Sequence, residues 1–284
     1  MKNTKKNISI EKLHPFENHP YKVQDNEEMD ALAESIKAHG VVSPIIIRPL
    51  ENTTDEYEII SGHRRVMASR KAGITEIPAL IVPLDRDEAA IAVVDSNLHR
   101  EHILPSEKAY AYKLKAEALH HQGKRSDLTS EQVAPKLATE FIAESDNTSK
   151  DTVKRYIRLT NLIPPILDMV DEKRIAFTPA VELSYLLPEE QTMLLSEMEY
   201  NDCTPNLSQA QRLKAFSMQG LFTSERLSTI MSEEKANQKE RVKIPAERIR
   251  KYFPKDYTTA QIEETIVKLC EAYHRKRLRD RDSR

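Results

Sequence analysis

Cysteine is scarce in this chain of 284 residues: Cys203 and Cys270 stand far apart, and neither has a second cysteine near it. This argues against both a disulfide framework and a cysteine-built zinc site. Long hydrophobic runs are also lacking. No apolar stretch approaches the ~18 residues that a membrane span needs. The basic start at Lys2, Lys5 and Lys6 gives way to Ile8-Ser9-Ile10 alternating with polar residues, so no signal-peptide core follows. The expectation is a cytoplasmic protein with no membrane role. Net charge is close to balance, −2 from 43 basic and 45 acidic residues, so contact with nucleic acid would have to come from a local basic face. The chain shows no internal repeat, and its first hundred residues hold no cluster of carboxylates suited to a metal-dependent nuclease.

What is present is a soluble-globular composition, 39% hydrophobic and 31% charged, on a chain long enough for about two domains. Ile8, Ile10 and Leu13 suggest an opening strand, and Pro15 and Pro20 keep the following HPFENHPYKV out of helix. A helix then starts at a capping Asp25, with Glu28 three residues on and Met29, Leu32, Ala33 and Ile36 on one face, and ends at Gly40. Strands follow at 44–48, around 57–61 and at 77–82. Short strands alternating with helices describe an α+β domain. Helices are expected at 87–98, from Pro105 or Ser106 to Gly123 with Tyr110, Leu114, Ala118 and Leu119 as the apolar stripe, and beyond a Thr129–Ser130 cap with Val133, Leu137 and Phe141. Further helices run to residue 234, with Tyr185, Met193 and Met198 read as core. The polar stretch 233–242 reads as a linker. After it, Thr259 to Tyr273 forms a helix whose Ile262, Ile266 and Leu269 would pack against a twin, followed by a basic, fraying run at 274–279. The domain boundaries are placed at 1–104, 105–235 and 236–284.

Two stretches carry chemistry. In YEIISGHRRVMASRKAGITEIPALIV, a strand hands over to a helix through Gly62, followed at once by His63, Arg64 and Arg65. Unpaired amides and the helix dipole create a positive potential there, and two arginine forks suit an anion such as phosphate, although a Gly and two Arg at a helix start also occur on plain solvated surfaces. In DNTSKDTVKRYIRLTNLIPP, Thr148 or Ser149 caps a helix whose Val153, Ile157 and Leu162 point inward. Lys150, Thr152, Lys154, Arg155 and Arg158 then populate its outer faces. Two readings fit these residues, a helix-turn-helix suited to the major groove of double-stranded DNA and an ordinary amphipathic helix with a solvated basic face.

The first stretch resembles the helix-opening G-E-R-R motif of the ParB partition family, with matching Ala68, Ala72-Gly73 and Ile77-Pro78, and with His63 in place of the family's Glu. HPFENHPYK loosely resembles the family's N-P-x-Q-P-R segment. Ser96-Asn97-Leu98-His99-Arg100-Glu101 resembles E-N-L-Q-R-E, with Ser96 and His99 departing from it. Arg158 to Pro164 resembles the L-R-L-L-x-L-P segment that follows the family's helix-turn-helix.

The resemblance implies a ParB/sulfiredoxin-like first domain that binds CTP through Gly62, His63, Arg64, Arg65, Asn97 and Arg100, with Mg2+ at Asn97. It further implies DNA contacts by Thr148, Ser149, Lys150, Thr152, Lys154, Arg155 and Arg158, a homodimer, and a ParA-type partner ATPase in plasmid or chromosome segregation. Loss of the carboxylate at Ser96 leaves Asp95 as the candidate oxygen ligand. With His63 also replacing Glu, it points to slow or absent CTP turnover. His99 and His102 read as surface histidines. Sulfiredoxin-type thiol repair lacks its cysteine, which would stand at His63. The remaining alternative is a transcriptional regulator that keeps the fold without nucleotide.

Overall fold

A computed structural model of the protein describes residues 4–51, 53–98, 102–125, 134–233, 246–254 and 256–282. Two compact units emerge, 1–233 and 234–284. The first opens with β1 (Thr4–Ser9), a short 3-10 turn and β2 (Leu13–Pro15). Then come α1 (Glu27–His39), β3 (Ile45–Pro49), β4 (Tyr57–Ser61), α2 (His63–Lys71), β5 (Glu76–Ile81) and α3 (Arg86–Asp95). The five strands form one sheet in the order β1-β5-β3-β4-β2, with β3 antiparallel to β4 and parallel to β5. Ile8, Ile45, Ile47, Ile59, Val66 and Ile77 make its core. Each such side chain, fully buried, contributes about 1.5–3 kcal/mol.

Helix α1 packs Met29, Ala33 and Ile36 against Ala68 of α2. Its cap is Asn26, whose side chain accepts from the Met29 amide, and not the expected Asp25. Asp25 pairs with Lys71 instead, because the helix starts one residue later and turns that carboxylate towards the end of α2. Asp85 and Glu88 form a reciprocal capping box at the start of α3.

The remaining described elements of the first unit are helices: α4 (Pro105–Arg125), α5 (Ala134–Ser145), α6 (Lys150–Leu159), α7 (Pro164–Asp171), α8 (Phe177–Leu183), α9 (Pro188–Tyr200), α10 (Leu207–Met218) and α11 (Ser224–Met231). Leu159, Ile166, Val170, Leu183 and Leu194 anchor its larger core. Several phases differ from the sequence expectation. Along α4 the buried positions are Ala109, Ala111, Tyr112, Lys115 and Ala118, while Tyr110 is exposed. In α5, Ala138 and Ile142 face inward and Phe141 faces out under the Lys115 ammonium. A polar residue, Lys115, takes a core position, and hydrophobic periodicity alone does not anticipate a buried lysine. Tyr185 and Met193 are half-exposed, whereas Met198 is core.

The second unit contains α12 (Ala246–Arg250) and α13 (Thr259–Asp282). The basic run expected to fray is the continuation of α13. Most of the expected linker, and the Thr129–Val133 cap region, lie outside the described residues.

Candidate nucleotide and DNA sites

Helix α2 begins where β4 ends. Gly62 caps it with φ +108°, and a Cβ built there would stand 2.6 Å from Ile45 Cγ2. Only glycine tolerates both the backbone angle and the contact. The first turn has no acidic residue, so its positive end is not neutralised locally. Arg64 is exposed and donates through Nη2 to Glu28 at 3.1 Å. Arg65 is half-buried. Its Nη1 donates to the Ser43 and Pro44 carbonyls at 2.6 and 2.8 Å, while Nη2 reaches over Gly62. Burial pulls its guanidinium below the ordinary value, yet an arginine stays charged throughout the working pH range.

Three segments distant in sequence meet at this helix start. The His63 ring lies against His19, with centroids 3.9 Å apart. His19 Nδ1 is 2.8 Å from the Tyr21 carbonyl oxygen, and Tyr21 Oη donates to the Val94 carbonyl at 3.4 Å. The proline-rich segment, the α2 start and the end of α3 are thereby tied together. Asn97, at that end, is buried, and its Nδ2 donates to the Val93 carbonyl at 2.8 Å and to Ser96 Oγ at 3.1 Å. Arg100, with His99 and Glu101, lies outside the described residues. His102 is exposed.

The α2 start has the chemistry that a phosphate group requires. It has no side-chain cap and offers the Arg64 fork and the Nη2 end of Arg65. A protein-held Mg2+ does not fit in the same way. Asp95, the expected oxygen ligand, is bound to Lys115 Nζ at 2.5 Å, because that buried ammonium needs a counter-charge. Among the described residues, no group of three or more His, Cys, Asp or Glu is arranged to hold a metal.

Helices α5 and α6 and the turn between them form the second site. Asn147 takes φ +49°, a left-handed angle that asparagine tolerates, and the Thr148 amide donates back to Ala143. Ser149 caps α6 by accepting from the Thr152 amide at 3.1 Å, and the two hydroxyls lie 2.9 Å apart. Val153 and Leu159 are buried. Lys150 and Lys154 are exposed, with weak partners in Glu140 and Asp151. The two arginines behave differently from an outward-facing pair. Arg155 donates to Thr178 Oγ1 at 3.0 Å and lies over Phe177. Arg158 stacks on Tyr185 at 3.8 Å, and Lys214 covers the same ring at 3.6 Å. Thr178, Tyr185 and Lys214 thus join the site from α8, the loop after it and α10. No local pattern around α6 points to them.

Residues 1–98 match the ParB N-terminal domain family. This stretch is a ParB N-terminal domain. It is 34% identical over 195 residues to the nucleoid occlusion protein of Listeria innocua, covering 68% of this chain and 62% of that protein. It is 35% identical over 174 residues to a probable chromosome 1-partitioning protein ParB of Deinococcus radiodurans, covering 61% of this chain and 53% of that one. The chain therefore spans less than two thirds of these relatives' length. The C-terminally truncated chromosome-partitioning protein ParB of Caulobacter crescentus is similar in two crystal structures. Its complex with the centromeric parS site gives 20% identity, 75% of this chain, 99% of that one and a TM-score of 0.42. Its complex with CTP-γ-S gives 23%, 69%, 99% and 0.33. Among the described residues, no helix is long and apolar enough to cross a membrane.

Proposed function

We propose that this chain is a double-stranded-DNA-binding protein of the partition or nucleoid-occlusion type in which a nucleoside triphosphate, CTP by family, acts as a conformational switch. The observation that carries the reading is the meeting of three motif segments at the α2 start, in one compact unit with a capped helix-turn-helix. A triphosphate at Gly62 to Arg65 has to draw Arg64 from Glu28 and compete with the Ser43 and Pro44 carbonyls for Arg65. Binding therefore trades internal pairs for ligand pairs and favours a rearranged state. Asn97 and Arg100 complete the nucleotide set, and no step is assigned to Mg2+. With Ser96 lacking a carboxylate and Asp95 committed to Lys115, turnover is slow or absent.

The exposed Lys150 and Lys154, with Thr148, Ser149 and Thr152 at the helix entry, face the DNA. Arg155 and Arg158, anchored on α8 and Tyr185, have fixed geometry for phosphate or base contacts. The protein acts as a homodimer through α13, associates with nucleoid or plasmid DNA in the cytoplasm, and works with a ParA-type ATPase.

Calorimetric titration of each nucleoside triphosphate, with and without Mg2+, and selection from a randomised duplex pool test the reading. CTP binding and an enriched site are expected. An enriched site with no triphosphate binding would instead identify a regulator that kept the fold without nucleotide.

A further inference from the structure

Helix α4 carries a polar face that the two sites do not account for. Lys108, Tyr112 and Lys115 stand at i, i+4 and i+7, so they line one side of the helix. Lys115 is 1% exposed. Its Nζ bonds the Asp95 carboxylate at 2.5 Å and Ser145 Oγ at 3.2 Å. Asp95 is the last residue of α3, directly before Ser96 and Asn97, and Ser145 is the last residue of α5, directly before the helix-turn-helix turn. Tyr112 Oη donates to Asp146 in that turn, and Lys108 Nζ pairs with the same carboxylate at 2.9 Å. One ammonium is thus shared between the end of the nucleotide motif and the start of the DNA-binding turn. A buried charge is poorly tolerated without its partners, so a shift of Asp95 that carries the Lys115 ammonium with it disturbs the hydrogen bond to Ser145.

We propose that Lys115 is a positioning residue that couples the nucleotide site to the helix-turn-helix, acting through Asp95 on one side and Ser145 on the other. The inference rests on the nucleotide reading above. It makes α4 a coupling element with an identified contact at each end, which is the physical content such a claim requires.

The test is hydrogen–deuterium exchange on the full chain with and without saturating CTP, in the wild type, Lys115→Met, and Ser145→Ala combined with Tyr112→Phe. Met fills the lysine's space, and Asp95, half-exposed, can turn to water, so Lys115→Met is expected to fold. The double variant keeps the Asp95 pair and cuts only the far side.

In the wild type, CTP changes exchange both in peptides covering 61–66 and 93–98 and in those covering 142–155. In Lys115→Met the first response persists and the second falls to background. In the double variant, 93–98 still responds while 142–155 responds weakly. An unaltered response at 142–155 in both variants, or none there in the wild type although 61–66 responds, overturns the proposal. No CTP effect at 61–66 in the wild type overturns the nucleotide reading, and this coupling with it.

Discussion

Gly62 illustrates how one residue can carry a site. Its positive φ and the 2.6 Å approach to Ile45 Cγ2 act together, so Gly62→Ala pays for a left-handed alanine and for overpacking the sheet, about 2–4 kcal/mol in all. Denaturant unfolding should show that loss, and CTP binding should fall as well because the α2 start shifts. Arg48 and Glu58 pose a different problem at the same scale. They face each other across β3 and β4, both buried, with Nε to Oε2 at 2.7 Å, and the second Glu58 oxygen accepts from the Glu17 amide. Glu58→Ala leaves a buried guanidinium with only the exposed Glu51 at 3.6 Å as a partner and should cost ~3–5 kcal/mol in urea unfolding. Glu58→Gln, which keeps an acceptor, should cost visibly less. Equal losses would mean that the negative charge, and not the acceptor alone, carries the effect.

Among the elements, α6 shows how capping and surface charge divide the work. Ser149 holds the helix start, so Ser149→Ala should lower stability by about 0.5–2 kcal/mol in thermal unfolding. Lys150 and Lys154 contribute little to the fold, since their partners are exposed. Replacing both with Ala should leave stability unchanged and weaken binding to all duplexes. It should also reduce the slope of log affinity against log salt by about 2. An unchanged slope would place the DNA elsewhere. Much of this element was legible in the sequence, because Ser149, Val153 and the basic positions are local signals. The anchoring of Arg155 and Arg158 was not, since Phe177, Thr178 and Tyr185 lie about 20–30 residues on and no periodicity links them.

On the scale of the whole molecule, α13 leaves an apolar stripe open. Ile262 is buried, but Leu269 is 61% and Tyr273 69% exposed. A helix of this kind packed on its symmetry mate would cover them and suit a two-fold DNA site. Removing residues from 244 onward, or making Leu269→Glu, should convert a dimer to a monomer in sedimentation equilibrium. A dimer that survives both changes would put the interface in the first unit.

The sequence by itself determined the kind of most elements, the Gly62 helix start, the Ser149 cap and the family to which the first domain belongs, but not the separate β2 or α12. These depend on turn residues, caps and short-range periodicity, which act within a few positions of chain. Only the tertiary structure decided how the charges are used: Lys115 buried with Asp95, Arg65 holding the Ser43 and Pro44 carbonyls, Arg158 laid on Tyr185. A charged side chain written in a sequence has no fixed fate. Whether it meets water, a ligand or a partner from a distant segment depends on burial and pairing, which are set only when the chain has packed.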